Sequence, residues 1–450
     1  MLSATNTIAA ISTANGVGGI GIVRLSGSEA LAIAKKICSR QIVPREASFH
    51  NFYNAEREIV DQGLVLYFPN PKSFTGEDVV EFQGHGGQAV LNALLSLCIN
   101  NGARLAEPGE FTRRAYLNNK IDLAQAESVI DVINATTIEA VKSAAQSLSG
   151  KFSNKIKDLL KKLIELRVFV EACLDFPEEE IDFIEQGKVI ERLNNIAAEV
   201  DQILLVAKHG QLLKEGANLV LIGQPNVGKS SLLNQLVGEE KAIVTEIPGT
   251  TRDPIASNIS IHGVPINVFD TAGLRATNDQ VELLGIEKTW ESAKNAHLAM
   301  VLVDATKGVS EYEKDIVSKL SKNIEILWVY NKIDLIDGEP KVTEHNNHKA
   351  IYISAKLDLG IDLLREALRE ILLGSLAYSS NDTIYIARSR HIDALNTVKA
   401  CVIKGLTHKN SSELLAEELM LAQNALSSIT GEFSSDDLLG KIFSEFCIGK

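Results

Sequence analysis

Gly223-Gln224-Pro225-Asn226-Val227-Gly228-Lys229-Ser230 fits the phosphate-binding pattern GxxxxGK[ST]. Its flanks fit as well: the apolar run Leu219 to Ile222 reads as a strand, and Ser231 to Leu236 opens a helix. A loop in that setting turns backbone N–H groups toward a β-phosphate, while Lys229 neutralises β and γ oxygens and the Ser230 hydroxyl suits Mg²⁺. From Gly216 to Ser375 strands and helices alternate, which reads as an α/β domain around this loop.

Further signals follow in order. Thr250-Thr251-Arg252-Asp253 lies in a Pro/Gly-punctuated loop and offers a hydroxyl to the γ-phosphate through Mg²⁺, with Thr251 the better donor. Asp270-Thr271-Ala272-Gly273 ends the predicted strand Ile266 to Phe269, putting a carboxylate beside the metal shell and a glycine N–H near the γ-phosphate. Asn331-Lys332-Ile333-Asp334 and Ser354-Ala355-Lys356 each end a predicted strand and read the base. The Asp334 carboxylate can accept both the N1 and N2 hydrogens of guanine, a pair adenine does not offer, so GTP is favoured over ATP. Together these motifs describe a GTPase domain that resembles translation-factor-type G proteins. The residue after DTAG is Leu274, which cannot orient a water; Glu282 is the local candidate for that role. Asn226 could hold a monovalent cation where an arginine finger would otherwise stand.

Outward from this domain both flanks are helical. Phe152, Ile156, Leu159, Leu163, Leu166 and Val170 form one stripe, Leu193, Ile196, Val200, Ile203 and Ala207 a second. Leu415, Leu419, Ala422, Leu426 and Ile429 form a third that stops at Gly431, a predicted C-cap. Neither flank alone encloses its stripe, so one discontinuous helical domain, 119–215 with 376–450, is expected to bracket an inserted G domain, 216–375. Residues 1–118 mix short β-rich runs with one helical stretch, Gln88 to Ile99, and read as a separate α/β unit. The acidic run Glu171 to Glu185 reads as solvated charge, not a metal site.

With 450 residues, about 150 per domain gives roughly three domains. Forty-five Lys and Arg against 58 Asp and Glu leave a net charge of −13, which excludes bulk electrostatic coating of nucleic acid. Cys38, Cys98, Cys173, Cys401 and Cys447 show no CxxC spacing, so neither a disulfide framework nor a zinc site is expected and a cytoplasmic location fits. No signal peptide or membrane span is expected, and the C-terminal Cys447-Ile448-Gly449-Lys450 is a poor prenylation box.

The whole chain resembles the MnmE (TrmE) family of tRNA-modification GTPases. The resemblance rests on Gly18 to Gly27, Ser73 to Asp78, Glu81-Phe-Gln-Gly-His85-Gly-Gly87, Pro108 to Phe111, Leu117 to Leu123, the G motifs and the closing Phe446 to Lys450. It implies a multidomain α/β plus all-α architecture: an N-terminal folate-binding and dimerisation domain, a helical domain and an inserted P-loop G domain. By the same resemblance Arg24, Glu81, Lys120 and Lys450 would hold 5-formyltetrahydrofolate or a related tetrahydrofolate, with Cys447 a candidate functional thiol. GTP would be contacted by Asn226, Val227, Gly228, Lys229, Ser230 and Ser231, by Thr245, Glu246, Ile247, Pro248, Gly249, Thr250 and Thr251, by Asp270 to Gly273 (Asp270, Thr271, Ala272), and by Asn331, Lys332, Asp334, Ser354, Ala355 and Lys356. Asn226, Thr245, Ile247 through its carbonyl, and Thr250 would ligate K⁺; Ser230 and Thr251 would ligate Mg²⁺; Glu282 would position water.

The implied reaction installs an aminomethyl or carboxymethylaminomethyl group at C5 of wobble uridine 34 in certain tRNAs. It would proceed with the flavoprotein MnmG, in a homodimer whose G domains pair during the GTP cycle. The chain itself carries no GxGxxG fingerprint, consistent with FAD and NADH belonging to the partner. Arg113-Arg114 and Arg388 with Arg390 and His391 are candidate tRNA or partner contacts, with solvated helix charge the blander reading. Rival readings are a GTP-switched ribosome assembly factor, which would carry an RNA-binding module such as a KH domain, and a folate enzyme acting on a protein or small molecule.

Overall fold

The computed structural model describes residues 6–38, 40–175, 188–237, 257–261, 263–270, 296–321, 324–345, 347–373, 384–408, 411–432, 436–444, 446–447 and 449. The chain divides into two compact units, Met1–Ile130 with Phe152–Ile190 and Cys401–Lys450, and Asp131–Lys151 with Glu191–Ala400.

The first unit opens with strands β1 (Ile8–Ile11) and β2 (Gly18–Ser26), helix α1 (Ala30–Ile37), and strands β3 (Ser48–Tyr53), β4 (Ile59–Phe68) and β5 (Val79–Gly86). Helix α2 (Gln88–Asn100) and the short β6 (Arg104–Leu105) complete a six-stranded sheet in the order β3-β4-β5-β2-β1-β6. Alternation decides its faces: along β5 the even-numbered residues are buried, and Glu81, Gln83 and His85 are not. Val23, Leu25, Phe52, Val65 and Phe82 thus form a core with Ile33, Leu91 and Leu94 of the helices.

Helices α3 (Glu110–Leu117) and α4 (Leu123–Asn134) follow, then α5 (Ile138–Leu148) and α6 (Lys151–Asp175). The stripe read on α6 is buried throughout, from Phe152 to Val170. Burying each such side chain is worth about 1.5–3 kcal/mol, so Leu163→Ala would cost about 2–5 kcal/mol. Near the chain end, α12 (Ser412–Thr430) buries its predicted stripe from Leu415 to Ile429, and Gly431 caps it in the left-handed conformation at φ 86°. Helix α13 (Asp436–Ser444) packs Ile442 and Phe443 with Leu123 and Ala126.

The second unit takes most of α7 (Val189–Glu215), whose stripe Leu193 to Ala207 is buried, and a seven-stranded sheet ordered β12-β13-β11-β10-β7-β9-β8. Its strands are β7 (Ala217–Ile222), β8 (Ser257–Ile261), β9 (Val264–Asp270), β10 (Leu298–Asp304), β11 (Glu325–Asn331), β12 (Lys341–His345) and β13 (His348–Tyr352). β7, β9, β10, β11 and β13 run parallel; the edge strands β8 and β12 are antiparallel to their neighbours. Leu219 and Leu221 point into one core and Val220 and Ile222 into the other, because the central strands are covered on both faces. Helices α8 (Lys229–Val237), α9 (Glu311–Lys319), α10 (Ile361–Leu373) and α11 (Ser389–Thr407, which ends in the first unit) complete it. The fold class is thus mixed α/β with helical segments, as read from the sequence.

Two charge readings need correction. Arg114 is neither solvated nor open to a partner: its side chain is 9% exposed and its guanidinium meets Glu77 at 2.8 Å and Glu110 at 3.0 Å. Arg388 is likewise tied down by Asp131 at 3.1 Å, and His391 is buried and accepts the Arg388 backbone N–H at Nδ1. A single sequence displays the arginines but not Glu77 and Asp131, which come from other elements.

Candidate functional site

In the second unit a cavity of about 560 Å³ opens at the carboxyl ends of β7 and β11. Asn226, Gly228, Lys229, Ser230 and Ser231 line one side, and Asn331, Lys332, Asp334, Leu335, Ala355 and Lys356 the other. The P-loop and two motifs about a hundred residues or more further along the chain therefore line one cavity, as the strand-end rule for parallel sheets requires.

The P-loop conformation follows from its residues. Asn226 takes φ 64° and Gly228 φ 102°, and a Cβ on Gly228 would stand 2.3 Å from Asn331 Nδ2, so only glycine permits the approach. Lys229 Nζ donates to the Gly223 carbonyl at 2.8 Å, folding the ammonium back over the loop. Ser230 and Ser231 are exposed at the start of α8, where N–H groups and the helix dipole favour an anion.

The opposite wall is built by buried hydrogen bonds. Asn331 Nδ2 donates to the Val227 carbonyl at 2.8 Å, and Asn331 Oδ1 accepts the Ala355 N–H at 2.9 Å. Ser354 Oγ donates to Asp334 Oδ1 at 2.6 Å and so fixes the carboxylate that would read guanine. Lys332, left-handed at φ 69°, reaches Asp304 at 2.7 Å. Burial pushes the Asp304 carboxyl up, but hydrogen bonds from Lys332 and Thr306 outweigh it and hold the group at about 2. Asp304 was missed in the sequence; its one signal is a lone carboxylate closing the apolar strand Leu-Ala-Met-Val-Leu-Val-Asp.

Asp270 ends β9 in register with Leu221 of β7, which sets its backbone beside the P-loop strand. Thr245, Glu246, Ile247, Pro248, Gly249, Thr250, Thr251, Thr271, Ala272, Gly273 and Glu282 lie outside the described residues, as does Lys450. Most of the K⁺ set and the water-positioning candidate are therefore outside them. The hydroxyl of Ser230, exposed in the cavity, suits Mg²⁺, and the Asn226 carboxamide beside it suits a monovalent cation. No cluster of three or more His, Cys, Asp or Glu forms a separate metal centre among the described residues.

In the first unit Arg24 and Glu81 face each other across β2 and β5, with Arg24 Nε to Glu81 Oε1 at 2.9 Å and the guanidinium 5.7 Å from the Phe111 ring centre. Lys120 is not in this pair; its Nζ donates to the Pro71 carbonyl at 3.0 Å. The C-terminal tail runs beside β1, where Ser12 Oγ donates to the Gly449 carbonyl at 3.0 Å, and β1 pairs Ala10 with Arg24. Cys447 is exposed, and its carbonyl accepts the Gly109 N–H. The tail and Arg24 thus share one region of the sheet. The Arg24–Glu81 pair leaves guanidinium and carboxylate edges only partly covered, at 24% and 15% side-chain exposure, a donor and acceptor set that suits a pterin.

Comparison with known proteins gives the family. Residues 7–120 match the family model for the GTP-binding protein TrmE N-terminus, and residues 123–447 match that for the MnmE helical domain. The tRNA modification GTPase MnmE of Nitrosomonas europaea is 51% identical over 452 residues, covering 100% of both chains. Proteins of the same name from Hydrogenovibrio crunogenus and Aromatoleum aromaticum are 48% and 50% identical, each covering 100% of this chain and 99% of the relative. No helix among the described residues is long and apolar enough to cross a membrane. With identity at this level from end to end and both family models matched, the chain belongs to the MnmE family of tRNA modification GTPases.

Proposed function

We propose that the chain is a K⁺-dependent GTPase that, with the flavoprotein MnmG, installs an aminomethyl or carboxymethylaminomethyl group at C5 of wobble uridine 34. The carbon comes from a tetrahydrofolate, and GTP hydrolysis drives pairing of the G domains in a homodimer. The cavity that joins Lys229 and Ser230 to Asp334 carries the GTPase part of this reading. The domain plan 1–118, 119–215 with 376–450, and 216–375 belongs to the same proposal, as does a cytoplasmic location.

On this reading Lys229 and the P-loop N–H groups hold the phosphates, and Asp334, oriented by Ser354, accepts the guanine hydrogens. Ser230 and Thr251 hold Mg²⁺, which when bound neutralises charge developing on the phosphoryl oxygens. Asn226, Thr245, Thr250 and the Ile247 carbonyl hold K⁺ in the arginine-finger position, and Glu282 orients the attacking water. Arg24 and Glu81 bind the pterin edge, with Lys120 and Lys450 toward the glutamyl carboxylates. The rival assembly-factor reading has no observation in its favour.

Mass spectrometry of wobble-uridine nucleosides in tRNA from cells lacking the protein tests the proposal. The C5 modification should disappear, return with the intact chain, and stay absent with Lys229→Ala. Unchanged nucleosides would overturn the tRNA-modification reading and leave only a GTPase.

A further inference from the structure

The segment from Asp304 to Ser310 joins β10 to α9 and carries none of the nucleotide motifs read from the sequence. It is nonetheless bonded to both walls of the nucleotide cavity. On the base side the two Asp304 carboxylate oxygens divide their work: Oδ1 accepts the Thr306 N–H at 3.0 Å and the Thr306 hydroxyl at 2.7 Å, and Oδ2 accepts Lys332 Nζ at 2.7 Å. The next residue, Ala305, donates its N–H to the Asn331 carbonyl at 2.8 Å. The Asp304 side chain is 9% exposed, so its turn and the strand end fix where the carboxylate stands.

On the phosphate side Gly223, the first P-loop residue, packs against β10: a Cβ there would stand 2.6 Å from the Leu302 carbonyl oxygen. Gln224 follows and donates from Nε2 to Ser310 Oγ at 2.7 Å. The helix it meets fixes the direction of that bond. Ser310 is the N-cap of α9 in a capping box, where its hydroxyl donates to the Glu313 carboxylate and accepts the Tyr312 N–H at 3.2 Å. A hydroxyl has one proton, and Glu313 takes it, so the Gln224 amide has to be the donor. One short loop therefore holds a lysine of the base wall at one end and a glutamine of the P-loop at the other.

We propose that the β10–α9 loop is a positioning element of the nucleotide site: Asp304 pins Lys332 on the base wall, and Ser310 pins Gln224 in the P-loop, before GTP arrives. This deepens the GTPase reading above and rests on it. Lys332 lines the cavity, whereas Asp304 and Ser310 stand behind the lining, so each acts through its partner. A lysine stem is flexible, and a nucleotide that packs beside a free one has to order it on binding. With Nζ held at Asp304 that ordering is already done. The Gln224 bond does the same for the turn leading into Asn226 and Gly228, both held at positive φ.

The test measures equilibrium binding of a fluorescent GTP analogue, and GTP turnover, with the full-length chain. Asp304→Asn keeps the shape of the side chain and an acceptor for Thr306, and should weaken binding by about threefold to tenfold, the cost of ordering one long side chain. Its kcat at saturating GTP should change by less than about twofold, because the loss lies in binding. Lys332→Met keeps a stem that is no longer pinned, so it should weaken binding to a similar degree, and the double variant no further than the weaker single. Gln224→Met and Ser310→Ala should form a second such pair, and a variant from one pair should add to one from the other. Ser310→Ala also removes a helix cap, so Gln224→Met, which leaves the cap intact, decides that arm. Unchanged GTP affinity in Asp304→Asn or in Gln224→Met overturns the proposal. So does an Asp304→Asn loss that persists undiminished beside Lys332→Met, since Asp304 would then act through the strand. Loss of all GTP binding in Lys332→Met overturns it too, because the ammonium itself would then be holding the nucleotide. A wild-type chain that binds no GTP overturns the GTPase reading along with it.

Discussion

The Asn331 carboxamide bridges two loops of the nucleotide cavity, donating to the Val227 carbonyl at 2.8 Å and accepting the Ala355 N–H at 2.9 Å. Asn331 is 3% exposed, so both bonds are shielded from water. A residue read from the sequence as a base contact thus ties the P-loop segment at Val227 to the segment at Ala355. Asn331→Ala leaves a buried carbonyl and a buried N–H without partners, at about 1–3 kcal/mol each. GTP affinity should therefore fall by more than tenfold, with added hydrogen exchange at both Val227 and Ala355. Titration with a fluorescent GTP analogue measures the first effect. Loosening confined to the Ala355 side would show that the P-loop stands without Asn331.

The K⁺ assignment predicts a cation-specific rate. Replacing Na⁺ by K⁺ at constant ionic strength should raise GTP turnover at least tenfold, because a fixed cation at the phosphoryl oxygens acts in the transition state. Asn226→Ala should remove that difference while leaving GTP bound. Glu282→Ala should bind GTP and hydrolyse it slowly in either salt. Equal turnover of the wild-type chain in both salts would sink the assignment.

How much of this was legible depended on where the interacting residues sit in the chain. The P-loop was plain because its turn, cation and hydroxyl are contiguous and bounded by a strand and a helix. The helical stripes were plain because a helix brings i, i+3 and i+4 together whatever the rest of the chain does. Pairs closed by tertiary folding were not. Lys332 meets Asp304 across 28 residues and His85 meets Asp61 across 24, each from a neighbouring strand whose register the sequence does not spell out. Arg114 and Arg388 read as surface charge for the same reason: Glu77 and Asp131, which bury them, come from distant segments.

Acid should weaken the nucleotide unit locally. Asp304 stands at about 2 against an ordinary 3.8, so its ionised form stabilises the fold above about pH 4 and that contribution is lost as pH falls toward 2. The shift corresponds to about 2 kcal/mol for a side chain that is 9% exposed. Lys332→Met removes one of the two partners, Thr306 keeping the other, so the variant should open β10 and β11 more readily near pH 6, and the difference should close as pH falls from 4 to 2. Hydrogen exchange on the full chain reads this strand by strand. A gap that stays constant with pH would mean that Lys332 stabilises by packing, not charge.

Arg114 allows a sharper choice, because its burial and its candidacy as a tRNA contact predict different things. Its fork donates to Glu77, to Glu110 and to the Asn6 carbonyl at 2.8 Å, tying α3 to the loop before β5 and to the chain start. Arg104 holds Glu110 as well, and together these cations outweigh the upward push of burial, so the Glu110 carboxyl lies below its ordinary range. Arg114→Met leaves Glu77 without its arginine and Glu110 with Arg104 alone, and should destabilise the first unit by about 3 kcal/mol, the low end for breaking a buried pair. Arg114→Lys keeps the charge but cannot place three donors in one plane, so it should recover only part of that loss. A surface arginine bound to tRNA behaves oppositely: either substitution leaves stability alone, and the methionine variant binds tRNA more weakly with a shallower salt dependence. Denaturant unfolding beside tRNA titration at two salt concentrations separates the cases. Unfolding that moves while the salt slope of tRNA binding does not is the outcome the buried fork requires.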